Sequence, residues 1–282
     1  MRQIFRDRQL NHDFDRDGYA IVPMLDETDV EQLRDLYNSN TNREFGEGFH
    51  TSFLSKDVDF KKLVYQKFAE LFNNKLNECL NDYRVLFTHY LIKEPNTHFH
   101  FDLHVDATTV DESRHTAVTI WCALEDINEH NGGIFVWKSG HKFINGYRTV
   151  SVHNPVAENI RDLVKERGNE SSIVLKKGEA IIMDQKLPHG SMPNVTGNRR
   201  IAAGLHLVPK DAECIMCFED KDHNMSVYKI IDDDFYLNGF AGEDSKESSK
   251  LEFKSFEMNN WSITSFEDIN ESNPNVHAEN IS

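Results

Sequence analysis

Apolar positions in the first third of the chain recur every three to four residues. Val30, Leu33, Leu36 and Tyr37 follow Asp26-Glu-Thr-Asp29, a helix-start signal, and predict a helix there. A second amphipathic helix is predicted around residues 57–82, and Gly18-Tyr-Ala-Ile-Val-Pro23 is a short β-like run ahead of both. From Arg84 the period changes to two. Val85–Ile92, Thr116–Ala123, Gly133–Trp137, Ser172–Leu175, Ala180–Met183 and Arg200–Val208 read as short strands separated by turn residues, with Lys176-Lys-Gly-Glu179 as a hairpin turn. A helical patch near 155–168 interrupts them. Helices followed by many strands predict an α+β fold with a β-sandwich or barrel core. No internal repeat is apparent.

After about residue 240 the pattern gives way to Glu, Asp, Ser and Asn. Residues 1–240 are therefore expected to form one domain, with a helical part over about 1–82 and a β core over about 84–210. Residues 241–282 are expected to be an acidic, mobile tail, or a flap docked through Trp261 and Phe266. With 282 residues, 39% hydrophobic positions and 19 Phe, the chain has ample material for a core. Its net charge of −16 disfavours nucleic acid and anionic membrane surfaces as partners and leaves a small-molecule substrate as the expected one. The start, MRQIFRDRQLNHDFDRDG, lacks the apolar stretch of a secretory signal, and no run of about 18 apolar residues exists, so a cytoplasmic location is expected. Four scattered cysteines are expected to be reduced thiols. Cys214-Ile-Met-Cys217 has zinc-knuckle spacing without a second ligand pair and reads as packing. Asn194-Val-Thr196 matches a glycosylation sequon and reads as a turn.

The chemistry concentrates in Thr97-His-Phe-His-Phe-Asp-Leu-His-Val-Asp106. Positions 98, 100, 102, 104 and 106 are His, His, Asp, His and Asp, while 99, 101, 103 and 105 are apolar. On one strand, the five ligand-type side chains share a face. Five such groups repel and desolvate one another unless a cation organises them. A mononuclear iron oxygenase needs two imidazoles and one carboxylate on one side of the ion. His-x-Asp supplies two of the three, and it occurs twice, as His100-Phe-Asp102 and His104-Val-Asp106. The third is expected far along the chain, at His189 in Leu187-Pro-His-Gly-Ser-Met-Pro-Asn194. Eleven residues later Arg200, Ala202, Gly204 and His206 alternate with Ile201, Ala203, Leu205 and Leu207, giving a small, polar strand face able to hold an anion on Arg200.

Taken in order, these pieces resemble the phytanoyl-CoA dioxygenase family of Fe(II)/2-oxoglutarate oxygenases. They are Phe14–Pro23, His104-Val-Asp106 with Val110-Asp-Glu112, Thr119–Asp126, Asn131-Gly-Gly133, Ser139-Gly-His141, Gly178-Glu-Ala180 and His189-Gly-Ser-x-x-Asn194. The resemblance covers roughly residues 14–240. It implies a double-stranded β-helix (jelly-roll, cupin-like) core with N-terminal and flanking helices, and Fe(II), 2-oxoglutarate and O2 as cofactors. It implies His104, Asp106 and His189 as iron ligands, the gap to Trp121 suiting Asp106 rather than Asp102. Arg200 and Ser191 are then expected at the distal carboxylate of 2-oxoglutarate, and Trp121 and Lys93 beside that cosubstrate. His98, His100, Asp102 and His206 become candidates for the substrate side. The chain departs from the family in having Val105 and Ala107 where Gln and Trp are usual. The implied activity is hydroxylation of a small metabolite, with release of succinate and CO2. A cupin-like metal- or ligand-binding barrel without oxygenase chemistry is the alternative, and an inactive interaction protein a third reading.

Overall fold

Short acidic residues start all three α-helices among the described residues. Asp7 caps α1 (Arg8–Asp17), Asp26 and Asp29 form a reciprocal capping box on α2 (Glu27–Asn38), and Asp57 caps α3 (Val58–Cys79). Each carboxylate satisfies a backbone N–H that the first helical turn leaves without an intrahelical acceptor. On α3, Phe60, Val64, Phe68, Phe72 and Leu76 recur every fourth residue and are all buried, a stripe in which each fully buried side chain contributes about 1.5–3 kcal/mol. α1 was not expected: its only large apolar residues are Leu10 and Phe14, too few to show a period.

The computed structural model describes residues 3–40, 48–149, 168–220, 224–237 and 250–258. Among them the strands are β1 (Tyr19–Pro23), β2 (Phe49–Thr51), β3 (Tyr83–Lys93), β4 (Phe101–His104), β5 (Val118–Ala123), β6 (Ile134–Trp137), β7 (Glu170–Ser172), β8 (Glu179–Asp184), β9 (His189–Ser191), β10 (Arg200–Pro209), β11 (Ile215–Glu219), β12 (Asn224–Ile230) and β13 (Leu251–Met258). They form a six-stranded sheet in the order β1-β8-β5-β10-β3-β2, a four-stranded sheet β4-β9-β6-β7 and a three-stranded sheet β11-β12-β13. The observed class is α+β, dominated by sheet. The helical patch expected near 155–168, and Trp261 and Phe266, lie outside the described residues apart from Gly168. Within the stretch expected to be an acidic tail, Leu251–Met258 instead pairs with β12 as an ordered strand. No helix among the described residues is long and apolar enough to cross a membrane.

Alternation along β10 divides the core. Ile201, Ala203, Leu205 and Leu207 point to the main cluster, which they share with Leu33, Phe68 and Phe72 of the helices. On the other face Ala202 joins Trp121, Ile181 and Met183 of the large sheet and Ile134 and Val136 of the four-stranded one. The two sheets thus share an apolar layer, and a cavity opens beside it. Cys214 and Cys217 are buried in two different clusters, and Asn194 turns the chain by donating to the carbonyls of Lys93, Glu94 and Asn198.

Candidate metal centre

β4 and β9 meet out of step. Phe101 pairs with Ser191 and His104 with His189, so three intervals on β4 span two on β9. A bulge of this kind reverses which side chains of the strand face inward, and it corrects the expectation that residues 98–106 present one face. Phe101, His104 and Asp106 line the cavity. Leu103 and Val105 are buried with Phe135 and Trp137. His98, His100 and Asp102 are exposed and are absent from the cavity wall, and His100 Nε2 lies 3.0 Å from Asp102 Oδ1. The expectation that those three join the wall of the metal cavity is thereby corrected.

His104 and His189 sit with ring centroids 4.4 Å apart. Nδ1 of His104 is 2.8 Å from the Asp102 carbonyl oxygen and Nδ1 of His189 is 2.9 Å from that of Leu187. A carbonyl only accepts, so each Nδ1 carries a proton and each Nε2 is the ring atom left to face the site. Thr119 donates its hydroxyl to Asp106 Oδ2 at 2.6 Å, and Asp106 Oδ1 lies 4.0 Å from His189 Nε2. One ligand atom from each of the three residues falls within 4.8 Å of the others. Burial, then the neighbouring His189, pushes the His104 imidazole down to about 4, leaving it neutral at pH 7. Burial alone would raise the Asp106 carboxyl; the three surrounding imidazoles and the Thr119 hydroxyl outweigh it and hold the group at about 2. Two imidazoles and one carboxylate, each backed by a hydrogen bond, are a donor set that fits a divalent transition metal.

The same cavity, of about 140 Å³, has a cationic wall. Arg200 is 1% exposed, and its Nη1 donates to the Leu91 carbonyl at 2.9 Å while its Nε is buried without a partner. Its guanidinium carbon stands 5.2 Å from the centre of the Trp121 ring. Burial lowers Arg200 to about 10, which still leaves it charged at neutral pH. Gly132, at φ +83°, keeps the approach open: a Cβ there would lie 2.8 Å from Lys93 Cδ and 3.4 Å from Arg200 Nε. An unsatisfied buried donor on a charged group is costly, and a carboxylate fits it. Ser191 and Trp121 line the same cavity. Lys93 does not: its ammonium is buried behind the wall, donating to the carbonyls of Ser191 and Met192, and burial followed by Arg200 pushes it down to about 7.

His206 lines the cavity, stacked on Phe87 at 4.1 Å with its Nδ1 3.3 Å from Thr119 Oγ1. Among the lining residues that carry no sequence-based expectation are His89, Thr119 and Phe49. His89 sits four residues before Lys93 on β3, against Gly204, where a Cβ would approach its Nε2 to 2.2 Å. Thr119 stands two residues before Trp121 on β5; the period-two rule applied to Lys93 and Trp121 would have found both. Phe49 packs against Phe101 with centroids 5.0 Å apart and carried no signal of its own.

The sequence profile of the phytanoyl-CoA dioxygenase (PhyH) family matches residues 14–202. The phytanoyl-CoA dioxygenase domain-containing protein 1 homolog of Dictyostelium discoideum is 29% identical over 129 residues, which is 43% of this chain and 45% of that relative. The match thus spans less than half the relative's length. Among solved structures, the 2-oxoglutarate-dependent carbocyclase SnoK of nogalamycin biosynthesis is similar in fold with a TM-score of 0.57 at 15% identity, over 92% of this chain and 96% of its own. HygX from Streptomyces hygroscopicus, solved with nickel, 2-oxoglutarate and hygromycin B, gives 0.53 at 16%, over 73% and 88%. The epimerase SnoN, solved with Fe3+, α-ketoglutarate and nogalamycin RO, gives 0.52 at 18%, over 73% and 84%.

Proposed function

Since the chain belongs to the phytanoyl-CoA dioxygenase family, whose cofactors are Fe(II), 2-oxoglutarate and O2, we propose that it is an Fe(II)/2-oxoglutarate-dependent dioxygenase hydroxylating an unactivated C–H of a small metabolite. The observation that carries this reading is a single cavity with the His104, Asp106 and His189 donor set and a buried arginine whose Nε has no partner. A metal-binding barrel without oxygenase chemistry has no use for that arginine. We read the six- and four-stranded sheets as the two walls of a double-stranded β-helix within a domain of residues 1–240.

In this reading His104, Asp106 and His189 hold the iron on one side and leave its other positions to cosubstrate and dioxygen. Arg200, with Ser191 beside it, takes the distal carboxylate of 2-oxoglutarate through charge-assisted hydrogen bonds. Trp121 flanks that site, and Lys93 anchors the Ser191–Met192 main chain rather than touching the cosubstrate. When bound, the iron supplies the oxidative chemistry that converts 2-oxoglutarate to succinate and CO2 while functionalising the substrate. Ile134, Met183 and Leu91 keep water from the cosubstrate end. His206 and His89, with Phe49 and Phe101, are the substrate-side wall. Burial pushes these imidazoles down, to about 4 and about 3, so they meet a substrate as neutral hydrogen-bonding groups.

The test is succinate release in a metabolite screen with added Fe(II) and 2-oxoglutarate, followed by product analysis. Succinate that depends on both additions and is lost in Arg200→Ala is expected. Metal binding without any such succinate selects the barrel without oxygenase chemistry. A product that is cyclised or epimerised rather than hydroxylated keeps the cofactors and replaces the reaction type.

A further inference from the structure

The segment carrying Asp106 leaves β4 and joins no sheet before β5 begins at Val118, so something other than a strand ladder must fix the carboxylate's position. On one side Val105 is buried among Leu103, Phe135 and Trp137. On the other stands Arg148, 2% exposed. Its Nε donates to the main-chain carbonyl of Asp106 at 2.7 Å, its Nη1 to Glu112 at 2.8 Å and to the Gly146 carbonyl at 3.1 Å, and its Nη2 to the other Glu112 oxygen. The backbones lock as well: Arg148 N donates to Thr108 Oγ1 at 2.9 Å, and Thr108 N donates to the Arg148 carbonyl at 3.0 Å. One planar fork therefore spans the ligand's own peptide and an acid six residues beyond it, a bidentate geometry that an ammonium cannot reproduce. The acids around the guanidinium are Glu112 in direct contact and Asp184 and Asp106 through space, and together they outweigh burial and raise Arg148.

We propose that Arg148, paired with Glu112, is a positioning residue for the metal centre: it holds the main chain at Asp106 so that the carboxylate faces His104 and His189. This rests on the metal reading of that site. Nothing in it requires a substrate, so the test uses metal binding itself.

Co(II) is titrated into the metal-free full chain and followed by its visible absorption, alongside thermal melts of the metal-free protein, for wild type, His104→Ala, Arg148→Lys and Glu112→Gln. Arg148→Lys keeps a cation beside Glu112 but cannot also reach the Asp106 carbonyl. It should weaken Co(II) binding by about 10–100-fold and change the spectrum, with little change in the melt. Glu112→Gln keeps the shape and one acceptor oxygen but loses the charge and the second acceptor, and should weaken binding by about threefold or more. A folded Arg148→Lys with wild-type affinity and spectrum overturns the proposal. If that variant does not fold, Glu112→Gln decides in the same way. Wild type binding no better than His104→Ala would instead remove the metal reading itself, an outcome distinguishable from the first.

Discussion

His100-Phe-Asp102 and His104-Val-Asp106 have the same spacing and lie four residues apart, yet the fold treats them as opposites. In the first pair both side chains are exposed and the imidazole turns to its own aspartate. In the second, the histidine is backed by a main-chain carbonyl, the aspartate accepts from Thr119, and His189 arrives from β9. The bulge between Phe101 and His104 separates them. A motif therefore supplies donors, but a centre exists only where the backbone orients each donor and a distant strand completes the set.

The largest effect that sharpens this contrast is loss of a ligand. Alanine at His104, Asp106 or His189 should lower Fe(II)-dependent succinate formation by more than the ~10–100-fold that outer positions cost, whereas His100→Ala and Asp102→Ala should stay within about twofold, since exposed polar pairs contribute little. Kinetic assays of the five variants side by side check it, and loss in the His100 pair would reverse the comparison. Next, Arg200→Lys should raise the KM for 2-oxoglutarate by about tenfold or more through loss of charge-assisted bidentate bonding, read from initial rates at varied cosubstrate. Thr119→Val, nearly the same shape without the hydroxyl, should weaken metal binding by about tenfold, at the low end of outer-position effects, as measured by calorimetry.

The smallest effect concerns Lys93. Its folded-state pKa, about 7, lies below its ordinary value of 10.5, so between those values the unfolded chain binds more protons than the folded one. Its contribution to stability is present above about 10.5 and is lost as pH falls through about 7. Denaturant unfolding at stepped pH should show wild-type stability gaining relative to Lys93→Met as pH rises across that window. A constant difference between the two proteins would mean that the ammonium keeps its proton throughout.

Regular features were legible where one face of an element is buried over several turns or residues. β10 is the clearest case: Arg200 and His206 fall on the cavity face and Leu205 and Leu207 in the main core, as alternation requires. The three candidate metal-site residues were legible because a far histidine and an arginine strand completed the family's order. The bulge in β4 was not, because one irregular register step leaves no compositional trace, and so His98, His100 and Asp102 were placed at the substrate side. Arg148 and Glu112 were invisible as a pair for a related reason: they stand 36 residues apart in irregular segments, where no period constrains direction. β13 was hidden by the acidic stretch around it, although Leu251-Glu-Phe-Lys-Ser255 alternates as a strand should.

The most direct measurement is an anaerobic calorimetric titration of Fe(II), with and without 2-oxoglutarate, into wild type, the His104→Ala/Asp106→Ala double variant and the His100→Ala/Asp102→Ala double variant. One iron per chain is expected in wild type and in the His100/Asp102 variant, tightened by 2-oxoglutarate in both, and none in the His104/Asp106 variant. Iron retained by the His104/Asp106 variant and lost from the other would contradict this expectation.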